Sequence, residues 1–110
     1  MDQRRVDDRR GFPRARLARP VDGEIEGLAF EAIGEEMSES GMRLHLPWKL
    51  PLAGRVSLWL ALPRWDGSLT GCELEGTVVR RANHSVGVVF DRVDPRHRLS
   101  VRDFVWRGIH

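Results

Sequence analysis

The amino-acid sequence predicts an all-β fold, a small six-stranded antiparallel β-barrel with a C-terminal α-helix, on three observations. Val56, Leu58, Leu60 and Leu62 alternate with Ser57, Trp59 and Ala61, the two-residue period of a half-buried strand. Two further alternating runs, 70–81 and 86–90, are separated by the compact Asn83-His84 turn and predict a hairpin. The helical apolar stripe of Leu99, Val101, Phe104, Val105 and Ile109 comes only after Asp94-Pro95, so no crossover helix is available to build a parallel sheet.

In chain order, residues 1–13 lack apolar periodicity and read as a flexible basic arm, leaving 14–110 as the barrel domain. From Ala15 to Glu26 the apolar positions are sparse, and Pro20 and Asp22-Gly23 interrupt them, which predicts an irregular or edge strand. A turn at Glu26-Gly27 opens a second strand with Leu28, Phe30 and Ala32 on one face. Met42, Leu44 and Leu46 form a third, and Pro47 and Pro51 bracket the loop after it. Pro63 ends the 55–62 strand, and Asp66-Gly67 marks a turn. In 70–81, Cys72, Leu74, Gly76 and Val78 share a face, matched by Val86, Val88 and Phe90 in the last strand. Asp94 as N-cap and Pro95 as first helical residue start the helix, whose stripe closes one end of the barrel. Trp48, Trp59, Trp65 and Trp106 are expected in the core or packed at a barrel end, with stacking on bases or a protein contact surface as the alternative.

A chain of 110 residues, 41% hydrophobic and 31% charged, is one soluble domain with a modest core. No apolar run approaches the roughly 20 residues of a membrane span, the N-terminus lacks an apolar signal core, and Cys72 is alone. These features predict a cytoplasmic protein without membrane insertion. The net charge of +2 is unevenly spread: residues 1–19 hold seven Arg against three Asp, and the remainder carries an acidic excess. Lys49 is the only lysine, and arginine suits bidentate recognition of phosphate and guanine better than lysine does.

Two short runs carry the chemistry. Arg9-Arg10-Gly11-Phe12-Pro13-Arg14 puts three guanidinium groups on a loop that Gly11 and Pro13 keep from becoming helical. Glu36-Met37-Ser38-Glu39-Ser40-Gly41 offers a carboxylate, a hydroxyl and a glycine at i, i+2 and i+5. Together they suggest an anion and a planar base edge as ligand. Read separately, the first is a solvated basic arm and the second a strand-to-strand turn.

Arg10-x-x-x-Arg14 followed by Glu36-x-Ser38-x-x-Gly41 resembles the paired RxxxR and [D/N]xSxxG motifs of PilZ domains, bacterial receptors for the second messenger cyclic di-GMP. The resemblance implies a ligand site of Arg9, Arg10, Arg14, Glu36, Ser38 and Gly41. It gives Arg10 and Arg14 guanine and phosphate contacts, and makes Arg9 a determinant of whether one ligand or a stacked pair is held. Glu36 stands where the family has Asp or Asn, and its extra methylene moves the carboxylate by about 1.5 Å. The resemblance therefore implies a receptor whose arm orders on cyclic di-GMP and signals by protein contact to an unknown partner in motility, biofilm or pilus control. Its alternative is a degenerate adaptor that acts by protein contact alone. A barrel binding nucleic acid through its basic arm is a third, less favoured reading.

Catalysis has little support. His45, His84, His97 and His110 are scattered and lack metal-ligand spacing with Cys72, and no GxSxG, P-loop or HExxH pattern occurs. The sequence predicts no enzyme, no catalytic residue, no metal and no resident cofactor.

Overall fold

The computed structural model describes residues 13–46 and 54–108; the expected arm through residue 12, with Arg9 and Arg10, the Pro47 and Pro51 loop with Trp48, and Ile109 lie outside the described residues. Six strands and one helix follow in order: β1 (Ala15–Ile25), β2 (Leu28–Met37), β3 (Gly41–His45), β4 (Arg55–Pro63), β5 (Leu69–Ala82), β6 (Ser85–Arg92) and α1 (Pro95–Gly108). All pairings are antiparallel, and the order β1-β2-β3-β6-β5-β4 closes when β4 pairs with β1. Closure gives each of the six described strands a partner on both sides, which limits the free sheet edge that could template aggregation.

Alternation fills the interior. Val56, Leu58, Leu60 and Leu62 of β4 meet Cys72 and Leu74 of β5, Val86 and Val88 of β6, and Met42 and Leu44 of β3 in one core. Leu28, expected on the face of Phe30 and Ala32, is 52% exposed. It is the residue after a two-residue turn in which Glu26 and Gly27 both have positive φ, where the barrel wall ends.

β1 is irregular, as expected, and although it has a neighbour on each side, Pro20 sits where one side lacks pairing. β1 pairs β4 only through Asp22, Gly23 and Glu24. Beyond that segment Arg19 Nε donates to the Ala61 carbonyl at 2.9 Å, so a side chain takes over from the missing ladder. The register slips between Arg16 and Arg19, and Ala18 there adopts φ 51°.

Helix α1 begins as predicted. The Asp94 carboxylate accepts from the Arg96 N–H at 2.9 Å, and Pro95 occupies the first helical position, where no N–H is needed. Val101, Phe104 and Val105 are buried over β1, β4 and β5. Leu99, assigned to the same stripe, is 65% exposed. At 3.6 residues per turn it lies about 160° around the helix from Val101. No helix among the described residues is long and apolar enough to cross a membrane.

The tryptophan expectation fails for the three described residues: Trp59, Trp65 and Trp106 are 37%, 76% and 45% exposed. Trp59 occupies an outward position in the alternation of β4, Trp65 lies in the β4–β5 turn, and Trp106 turns its indole N–H to a carboxylate.

Candidate functional site

A groove of about 380 Å³ opens where the end of β2, the β2–β3 corner, β3, β6 and the end of β5 meet. Arg14, Glu36, Ser38 and Gly41 all line it, so the structure brings together every described residue of the expected site. Arg14 Nη1 stands 3.5 Å from Glu36 Oε1, and the two sequence runs therefore touch.

A bulge explains how Glu36 reaches this surface. In a regular strand Glu35 and Glu36 would point to opposite faces. The register of β2 against β3 slips between Gly34 and Glu36, and both carboxylates remain partly exposed on the outer side. Arg43, projecting from β3, bridges them: its Nε donates to Glu35 at 2.8 Å and its Nη1 lies 3.3 Å from Glu36. The Glu35 hydrogen bond, then the charge of Glu36, hold the Arg43 guanidinium above its ordinary pKa against the opposing effect of burial.

Ser38 is largely buried, and its hydroxyl is occupied within its own turn. Oγ accepts from the Ser40 N–H at 3.2 Å and lies 3.2 Å from Ser40 Oγ, while the Ser38 N–H donates to the Gly41 carbonyl at 2.9 Å. Gly41 was expected to let the backbone pass close by a ligand. The close approach in the structure is to β6: a Cβ on Gly41 would overlap the Val88 carbonyl oxygen. Glu39, between them, turns away to α1, accepting from Trp106 Nε1 at 2.7 Å and from Arg102 Nε at 3.3 Å.

Two arginines of the groove escaped the sequence reading, Arg43 and Arg80. Arg43 was legible in principle, as the outward residue two places after Gly41. Arg80 was not, because a slip between Val78 and Arg80 against β6 leaves Val79 60% exposed and sets both residues at the groove. Val79 and Val89 give the groove an apolar side against which a flat ring can lie, and Arg14, Arg43 and Arg80 supply guanidinium groups for an anion. The histidines are less scattered than expected: the His45 and His84 rings are 5.9 Å apart. No group of three or more His, Cys, Asp or Glu able to hold a metal occurs among the described residues.

Fold and groove define a small closed antiparallel barrel domain with a polar surface site and a helix packed on one end. The chain belongs to the PilZ domain family, whose family model matches residues 8–106. PilZ domains are regulatory and adaptor domains of the cyclic di-GMP receptor family. The structure is similar to that of the Bacillus subtilis inhibitor of motility, MotI/DgrA, with a TM-score of 0.77 and 16% identity over 90% of this chain and 50% of that one. The chain thus spans about half the length of MotI/DgrA. It is also similar to the PilZ domain of CeSA from a cellulose-synthesizing bacterium, with a TM-score of 0.63 and 20% identity over 88% of this chain and 98% of that one. No curated protein matches the sequence.

Proposed function

We propose that this chain is a cyclic di-GMP receptor that works as an adaptor, with Arg9, Arg10, Arg14, Glu36, Ser38 and Gly41 as its ligand-binding residues and residues 1–13 as an arm that orders on the ligand. The contact between Arg14 and Glu36 carries the reading, because it sets the two motifs of the family side by side on one groove. Arginine forks suit both the phosphate oxygens and the O6 and N7 acceptors of guanine. A carboxylate at position 36 complements the N1–H and N2–H donors of guanine. A second messenger places the receptor in the cytoplasm, and with no catalytic role assigned to it, its output is a protein contact. The likeness to an inhibitor of motility supports motility control as the process.

Isothermal titration with cyclic di-GMP tests this. Binding is expected, with Arg10→Ala and Arg14→Ala each removing most of it; no heat at tens of micromolar ligand overturns the reading. The second reading, an adaptor that no longer binds nucleotide, is favoured by one observation: Glu36 is already engaged by Arg14 and Arg43, at 3.5 and 3.3 Å. A bidentate contact is worth about 1–3 kcal/mol, so a misplaced carboxylate weakens binding roughly tenfold to a hundredfold. Glu36→Asp separates the two readings: binding by that variant alone identifies a decayed site.

A further inference from the structure

The outer surface opposite the groove carries a second constellation. The strand registers align Glu31 of β2, Asp22 of β1, Trp59 of β4 and Glu73 of β5 in one row across four strands, all exposed. Glu24 and Glu75 flank the row on one side, while Ile33, Pro20 and Ala61 border it with apolar surface on the other. Among the described residues, Arg55 pairs with Glu75, and no ion pair engages Asp22, Glu24, Glu31 or Glu73. His97 Nδ1 meets the Glu73 backbone at the end of the row. Shallow grooves run along both sides of Trp59. In a chain of net charge +2, this is a concentrated negative face around an exposed indole.

We propose that this face docks an extended, arginine-bearing segment of a partner protein. Charge complementarity selects a cationic partner and rejects nucleic acid, whose phosphates the carboxylates repel. The indole selects arginine, whose planar guanidinium stacks on an aromatic ring while its edges remain free for carboxylates. The row spans three strand spacings, about 14 Å, which equals the span of three successive same-face side chains of an extended chain, two intervals of about 6.8 Å. In the ring of strands, β1 and β4 lie opposite β6 and β3, so occupancy of this face leaves the nucleotide groove open. The inference does not depend on the nucleotide reading.

The test measures fluorescence anisotropy of a labelled peptide of alternating arginine and serine with the full chain, using alternating glutamate and serine as control. The basic peptide is expected to bind, with affinity falling as salt rises. Trp59→Ser weakens it about tenfold, and the triple change Asp22→Asn, Glu31→Gln, Glu73→Gln weakens it further. The triple change Glu35→Gln, Asp66→Asn, Asp103→Asn removes equal charge elsewhere, Glu35 facing Arg43 and His45 of β3, and leaves binding within about twofold, since exposed charges away from the contact are screened. Absence of binding at low salt overturns the proposal, as does equal weakening by the two triple variants, which marks diffuse attraction. Self-association of the wild type that Trp59→Ser abolishes also overturns it, assigning the face to a second copy.

Discussion

Gly41 shows how tightly a single residue constrains this site. Its Cα lies where β3 passes β6 so closely that any Cβ meets the Val88 carbonyl, a rigid backbone group that cannot swing aside. Gly41→Ala is therefore expected to destabilise the chain by about 1–3 kcal/mol, the usual cost of overpacking, read as a lower denaturant midpoint. An unchanged midpoint would show that the strands can part freely. Cys72 illustrates a different constraint. Burial pushes its thiol above the ordinary pKa, outweighing a hydrogen bond with Ser100 that acts the other way, and the residue is 3% exposed. Alkylation of the native protein at neutral pH should proceed no faster than unfolding of the barrel exposes Cys72. Rapid labelling without denaturant would refute the packing described for β5.

At the scale of elements, α1 is fastened at both ends. At its start, hydrogen bonds from the Arg96 side chain and then its backbone N–H hold the Asp94 carboxyl below its ordinary value near 3.8. A folded pKa below the unfolded one means that this stabilisation is complete above the unfolded value and is lost as pH falls through the folded one. The melting temperature of Asp94→Ala should thus lie below wild type at neutral pH, and the gap should close as the solution is acidified past the ordinary carboxylate range. A gap independent of pH would assign the loss to something other than the ionised cap. Toward the other end, Trp106 and Arg102, one turn apart, grip Glu39 on the β2–β3 corner, whose side chain is 18% exposed. Trp106→Phe keeps the ring but deletes the donor. A hydrogen bond to a charged group contributes about 1.5–3 kcal/mol, and partial exposure of Trp106 puts this one at the lower end. Hydrogen exchange should quicken in the last turns of α1 and in the Ser38–Gly41 corner together; acceleration in the helix alone would show that the corner does not depend on it.

For the whole molecule, the division between what could and could not be read in the sequence follows from the range of the interactions. Alternation in β3, β4, β5 and β6, the turns at Glu26-Gly27 and Asn83-His84, and the Asp94-Pro95 helix start were legible because each rests on near neighbours in the chain. The two motif runs were legible as patterns, and Arg14 and Glu36 do meet. Outward placement of Trp59 was implicit in its alternation with Leu58 and Leu60, yet the size of an indole suggested burial instead. Bulges and strand order lay beyond the sequence. The slip that turns Glu35 and Glu36 to one side, and the one that brings Arg80 to the groove, exist only as register against a partner strand. The row of Glu31, Asp22, Trp59 and Glu73 likewise joins four strands that the chain visits out of spatial order. By itself the sequence determined the inward face of the alternating strands, where the chain turns and which cations and carboxylates are available, since periodicity and turn chemistry are local. Only the tertiary structure decided which of those charged groups become neighbours, since register and closure come from packing one strand against another across the whole length of the chain.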